Sequence, residues 1–252
     1  MPPEPPPTPA NPSGRHVRES DGPLLFAHRG GLDGGHAQNS IAALADALDR
    51  GLSLESDVRL SADGIPVLVH DAIRWVLPLP HPVGWRSAKA LARRGIPTLA
   101  DLYRELGHDF ELSLDLKVSG AQDPAREVAR RAGALDRLWL VHDDMSLLTG
   151  IRLVDPTVKL IHEARPRDLL ERKISVSQHM KTLARHGIDA QNTHWSHWKP
   201  PMVDEAHRRG LLAFGSLAQD PASMRKALSQ GLDGLYSDHL EDLLAAKDEL
   251  TR

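Results

Sequence analysis

The chain has 252 residues, of which 40% are hydrophobic, enough for one large domain with a sizeable core. Its formal net charge of −3 sets up no global basic field toward nucleic acid or anionic lipid. The absence of cysteine excludes disulfides, thiolate metal sites and a cysteine nucleophile, and leaves the redox compartment undecided.

Residues 1–22 are rich in proline, polar and charged residues, and they carry too little apolar surface to fold on their own. They are predicted to be a disordered tail, with residues 23–252 forming a single domain. The tail holds no apolar core of a secretory signal. No apolar run in the chain approaches the roughly 18 to 20 residues that span a bilayer. The expectation is a cytoplasmic protein without stable membrane association.

Leu24 to Ala27 is a short apolar run that reads as a buried strand and delivers His28-Arg29-Gly30 at its C-terminal end. A helical segment follows over about 39–50, where Asn39 or Ser40 supplies a cap. The next strand carries Glu55-Ser56-Asp57, and strand alternation turns Glu55 and Asp57 to one face. After the Asp63-Gly64 turn, the apolar run Pro66 to Val69 ends in His70-Asp71. The segment from about 72 to 96 breaks the pattern with prolines and with Trp75 and Trp85. It reads either as a lid over the mouth of the fold or as an irregular surface insertion.

Thr98 restarts the helical pattern as an N-cap, with Asp101 where a capping box prefers Glu or Gln. The strand Leu112 to Lys117 puts Asp115 and Lys117 on one face, as active-site groups or as a buried ion pair. Further strands are predicted near 137–142, 158–162, 188–192, 211–215 and 233–237. Helices are predicted near 98–106, 123–132, 145–154, 166–185, 200–209, 221–229 and 239–249. Gly187, Gly210 and Gly231 stand where glycine stops a helix. Eight βα units in succession predict an α/β fold, a closed (β/α)8 TIM barrel with a small insertion after the second strand.

Two histidines, an arginine and two same-facing carboxylates thus fall at strand ends within one stretch. Carboxylate oxygens are hard ligands that favour Mg²⁺ or Ca²⁺. Two histidines can divide acid and base roles near neutral pH, and arginine grips a phosphate through its planar fork. Singly, each feature is common on a surface. Their order, His-Arg-Gly then Glu-x-Asp then His-Asp, is far more specific.

That order resembles the signature of the glycerophosphodiester phosphodiesterases. The resemblance covers about 24–247 and extends to Ile96-Pro97-Thr98-Leu99 and to the closing Asp233-Gly234-Leu235-Tyr236-Ser237-Asp238. It implies metal-dependent cleavage of a glycerophosphodiester to glycerol 3-phosphate and an alcohol. By the same match, Glu55, Asp57 and Asp115 hold one divalent cation, Mg²⁺ or Ca²⁺. His28 and His70 are the acid and base in an undetermined order, and Arg29 and Lys117 bind the phosphate.

The chain departs from the family pattern at three places. Asp115 replaces the family's Glu, and Gln38 stands where the family has Glu. The seventh barrel strand reads Leu212-Ala213-Phe214-Gly215-Ser216, without the family's tryptophan. Trp195, in the run His194-Trp195-Ser196-His197-Trp198, is the candidate replacement in the substrate pocket, or a plain surface residue. Asp238 is expected to cap the final helix. Two alternatives stay open: a related sphingomyelinase D-like phospholipase, and a non-catalytic barrel that binds a phosphorylated ligand. The expected partner is a small-molecule glycerophosphodiester, with no nucleic acid. The oligomeric state is not legible.

Overall fold

The computed structural model describes residues 22–76, 79–163 and 174–250, so the Pro-rich stretch lies outside the described residues apart from Gly22. Strands occur in the order β1 (Leu24–Ala27), β2 (Ser53–Leu60), β3 (Pro66–Leu68), β4 (Ile73–Val76), β5 (Leu79–Pro82), β6 (Leu112–Leu116), β7 (Leu138–His142), β8 (Lys159–Glu163), β9 (Ala190–His194), β10 (Leu212–Ser216) and β11 (Gly234–Ser237). The strands β1, β2 and β6 to β11 are parallel neighbours. β1 pairs with β11 on one side and β2 on the other, which closes the sheet into an eight-stranded barrel.

The helices between strands are Ile41–Asp49, Leu99–Leu106, Gln122–Arg131, Met145–Val154, Val176–Arg185, Pro200–Arg208, Pro221–Ser229 and Leu240–Leu250. The helical stretch expected over 166–185 is described only from residue 174, and its helix begins at Val176. Gly187, Gly210 and Gly231 all take positive φ after helices. Ser40, not Asn39, caps the first helix, its Oγ accepting the Ala43 N–H at 3.2 Å. Asp101 completes a full capping box despite its shorter side chain. It accepts from the Thr98 N–H at 2.9 Å, while its own N–H donates to Thr98 Oγ1 at 3.0 Å. Among the described residues, no helix is long and apolar enough to cross a membrane.

Two apolar layers follow from strand alternation. Outward residues such as Leu54, Leu114, Leu140 and Leu160 pack against Leu44, Leu102, Leu148 and Leu183 of the surrounding helices. Inward residues Phe26, Trp139, Ile161, Phe214 and Tyr236 fill the barrel. Phe26 stacks on Tyr236 with ring centroids 4.7 Å apart. The interior is therefore a packed core rather than a pore. Toward the C-terminal rim above this core stand polar residues such as Glu55, Asp115 and Ser216.

The described part of the insertion forms a small module of its own. β3 runs antiparallel to β2, and β4 pairs antiparallel with β5. Val83, Ala88, Leu91 and Ile96 bury against Val67 and Val69. This small satellite core anchors the segment beside the rim.

Candidate active site

At the end of β1, His28 to Gly30 make a single tight turn in which Arg29 takes φ 54°. Positive φ is uncommon for a residue with a side chain and marks local strain. The turn aims the Arg29 N–H back at Glu55 Oε2, 2.8 Å away. Gly30 follows at φ 84°, with its Cα against the first helix. A Cβ there would lie 2.6 Å from Ala43 Cβ and 2.8 Å from the Ala43 backbone carbon. Only glycine lets the His28–Arg29 turn sit so close to that helix.

Glu55 and Asp57 are 5% and 1% exposed on the inward face of β2. The parallel register sets Asp57 beside Asp115 of β6. Arg29 Nε lies 3.0 Å from Asp57 Oδ2, and Lys117 Nζ lies 3.2 Å from Asp57 Oδ1. Lys117 also contacts Asp115 closely, so its ammonium stands between the two aspartates. Burial pushes the Glu55 carboxyl up to about 8, with the neighbouring His28 charge opposing and the Asp57 charge adding.

His28 Nδ1 lies 2.8 Å from Asp238 Oδ1, and its Nε2 lies 3.9 Å from Glu55 Oε2. Burial works against the His28 proton, but the hydrogen bond to Asp238 and the Glu55 charge prevail and raise its pKa. Asp238 is held in turn by Gln219. Its Nε2 donates to Asp238 Oδ2 at 2.5 Å, and its Oε1 accepts the Asp238 N–H at 3.0 Å. The expectation that Asp238 caps the final helix is corrected: its side chain orients His28.

Among the described residues, two cavities open beside these groups. One, of about 260 Å³, is lined by His28, Arg29, Glu55, Asp115 and Lys117, with Ser113 and Tyr236 below and Leu217 and Gln219 at the side. Asp57 lies behind this wall, reached through its ion pairs with Arg29 and Lys117. The other cavity, of about 400 Å³, is lined by His70, Asp71, Gln38, Asn39, Gly95 and Ile96. Arg29 borders both. His70 Nδ1 lies 2.8 Å from Asp71 Oδ1. His28 and His70 thus stand on either side of Arg29 rather than in one pocket.

Trp195 lies outside the lining of both cavities. It packs against the outer helical core, with Lys226 Nζ 5.9 Å from its ring centre. Of the two readings the sequence left for Trp195, pocket wall or surface residue, this packing favours the second at these two cavities. A Cβ on Gly215 would lie 2.7 Å from Leu232 Cδ1, so that position also faces away from the cavity, while Phe214 lies in the barrel floor.

Three positioning residues escaped the sequence reading. Asn39 Nδ2 donates to Asp57 Oδ2 at 3.0 Å, and its Oδ1 accepts from Ser56 Oγ at 2.6 Å. Arg59 Nε donates to the His70 carbonyl at 2.8 Å, and Nη1 reaches the Lys117 carbonyl at 3.5 Å. Gln219 is the third. For Arg59 a signal existed, since alternation puts it on the same strand face as Glu55 and Asp57. Asn39 was marked only as a candidate cap, and nothing local marked Gln219.

The donor chemistry suits a hard divalent cation: carboxylates on two neighbouring strands, one of them, Glu55, with its pKa raised by burial. Among the described residues, however, no group of three His, Cys, Asp or Glu side chains is arranged to hold an ion. Lys117 takes the space between Asp57 and Asp115.

Acids, cations and an oriented histidine at the C-terminal rim of a parallel barrel define a barrel enzyme that works on an anionic ester. The model of the glycerophosphoryl diester phosphodiesterase family matches residues 28–242. The chain belongs to that family and is a phosphodiesterase of the glycerophosphodiester type. It is 27% identical over 251 residues to "Probable glycerophosphodiester phosphodiesterase 2" of Mycobacterium tuberculosis (strain ATCC 25618 / H37Rv), covering 90% of this chain and 93% of that protein. The fold matches the crystal structure of a glycerophosphodiester phosphodiesterase from Thermotoga maritima with a TM-score of 0.75 and 20% identity, over 89% of this chain and 97% of that one. It also matches an Oleispira antarctica phosphodiesterase in complex with the product sn-glycerol-3-phosphate, with a TM-score of 0.71 and 23% identity, over 90% and 97% of the two chains.

Proposed function

We propose that the chain hydrolyses glycerophosphodiesters to sn-glycerol 3-phosphate and an alcohol, with His28 and His70 as the acid–base pair. The observation that carries this reading is the His28–Asp238 contact of 2.8 Å. It commits Nδ1 to a carboxylate and leaves Nε2 facing the cavity beside Glu55. A histidine oriented in this way is equipped to move a proton at a reacting oxygen.

Glu55, Asp57 and Asp115 would hold one divalent cation, Mg²⁺ or Ca²⁺. When bound, it supplies charge stabilisation at the phosphoryl oxygens. Lys117 then turns from the two aspartates to the substrate phosphate. Arg29, shared by both cavities, holds the same phosphate and spreads its remaining charge. His28 and His70, on opposite sides of Arg29, face the two oxygens that exchange on phosphorus. One removes the proton of the attacking hydroxyl, and the other protonates the departing alcohol as its bond to phosphorus breaks. If the first nucleophile is a substrate hydroxyl, a cyclic phosphate forms and water opens it in a second step.

The polar lining suits a small, water-soluble diester, and a cytoplasmic location goes with that substrate. The test is turnover of glycerophosphocholine and glycerophosphoethanolamine followed by phosphorus NMR. The expected end product is glycerol 3-phosphate, with any cyclic phosphate transient. A stable cyclic phosphate from lysophospholipid or sphingomyelin, with no turnover of the two soluble diesters, overturns the proposal.

A further inference from the structure

The net charge of −3 conceals a local segregation. From Ala72 to Ala100 there is no Asp or Glu, while Arg74, Arg86, Lys89, Arg93 and Arg94 are all basic. This is the insertion beside the rim. Its short helix, Ala88–Ala92, buries Ala88 and Leu91 in the satellite core. Lys89, Arg93 and Arg94 are exposed at the opposite side and just past its end. Lys89 and Arg93 are four residues apart, so they are neighbours on one helix face. Among the described residues, no ion pair involves Lys89, Arg93 or Arg94. The acids nearby have other partners: Asp63 Oδ1 accepts the Ala88 N–H at 2.8 Å, Asp101 and Glu105 pair with Arg104, and Asp71 pairs with His70.

Trp85 is 82% exposed on the turn Val83–Trp85 that leads into this helix. An indole standing in water has no folding role to offset its exposure. Its apolar body and single N–H suit a membrane–water interface. Cations with long aliphatic stems around such an anchor are the make-up of a peripheral lipid-binding patch. The patch also adjoins the site, because Gly95 and Ile96, directly after Arg94, line the cavity that holds His70.

We propose that the insertion is a docking surface for a bilayer bearing anionic lipid, engaged reversibly through Lys89, Arg93, Arg94 and Trp85. The patch is small and, among the described residues, no helix is long and apolar enough to cross a membrane, so the contact is transient and weakens with salt. It also fits the proposed substrate. A glycerophosphodiester is what remains when both acyl chains are removed from a phospholipid, so a deacylating reaction at the bilayer supplies it there. Only that last point rests on the catalytic reading.

The test is co-sedimentation of the full chain with vesicles of phosphatidylcholine alone and of equal parts phosphatidylcholine and phosphatidylglycerol, at low and high salt and without substrate. Binding is expected only to the phosphatidylglycerol vesicles, and to fall as salt rises. The combined variant Lys89→Gln, Arg93→Gln, Arg94→Gln should lose affinity on the order of a hundredfold. Its turnover of glycerophosphocholine in solution should be unchanged, which also reports its folding. Trp85→Ser, tested separately, should weaken binding and keeps the test decisive if the combined variant misfolds. Wild-type protein that treats the two vesicle types alike overturns the proposal. So does undiminished binding by folded variants, or displacement of the protein from vesicles by a single-stranded oligonucleotide that binds it more tightly. Because no substrate is present, failure here leaves the catalytic reading to its own test.

Discussion

His28 Nδ1 and Asp238 Oδ1 lie 2.8 Å apart although 210 positions separate them in the chain. Closure of the barrel makes the contact possible, because β1 and β11 are adjacent strands. Burial opposes the charge of both groups, yet each prevails through the other: the His28 pKa is raised and that of Asp238 is lowered. A raised histidine contributes stability that is full below its unfolded value of about 6.5 and is lost as pH rises through the folded value. Asp238→Asn should therefore cost more stability near pH 5.5 than near pH 8, as read by thermal melts. It should also lower kcat by at least about 10² with a smaller change in KM, since the ring loses its orientation.

His28→Ala and His70→Ala should each lose roughly 10² to 10⁴ in turnover while remaining folded. His194→Ala and His197→Ala should change turnover little, because neither residue lines the two rim cavities. Steady-state kinetics on glycerophosphocholine decides the matter. A His197 variant as inactive as His28→Ala would reverse the assignment.

Excess chelator should abolish turnover, and Mg²⁺ or Ca²⁺ should restore it. Burial holds the Glu55 carboxyl at about 8 in the absence of a cation. Cation binding should therefore release a proton near neutral pH, a signal that calorimetry in two buffers of different ionisation heat detects. Asp57→Asn should weaken the affinity, and an unchanged isotherm would remove Asp57 from the ligand set.

Asp155 offers a test of stability away from the rim. Its buried carboxylate accepts from the Thr157 N–H at 2.9 Å and from Arg130 Nη2 at 2.8 Å, and it lies 3.5 Å from Arg126 Nη1. Burial alone would raise its pKa, but these partners hold it below the usual carboxylate value. The stabilisation is present above about pH 4 and is lost as pH falls through the folded value. Asp155→Ala strips a partner from the buried Arg126 and should cost about 3 kcal/mol in urea melts at neutral pH.

Gly30→Ala should separate the site from the fold. The new methyl meets Ala43 backbone at a position with φ 84°, and the least costly relief is displacement of the turn that carries His28 and Arg29. Turnover should fall by more than about tenfold while the circular-dichroism spectrum stays that of the wild type. Normal kinetics in a folded variant would show that the turn tolerates the shift.

The barrel was legible in the chain because its elements are local. Apolar runs bounded by turns became strands, amphipathic stretches became helices, and the expected spans agree closely with those observed. Alternation along β2 was enough to set Glu55 and Asp57 on one face. The residues at 28, 29, 55, 57, 115 and 117 were readable because each lies within or directly after a recognisable strand. What local pattern could not carry was the partner of each group. Asp238 looked like a helix cap, because only barrel closure brings it to His28. Asn39 looked like a cap as well, and tertiary packing turned it onto Asp57 instead. Trp195 read equally as pocket wall or surface residue, and only packing sets its ring near Lys226. Periodicity and strand-end position are properties of neighbours in the sequence, so the amino-acid order determined them. Contacts across the barrel are properties of neighbours in space, and only the closed tertiary structure decided those.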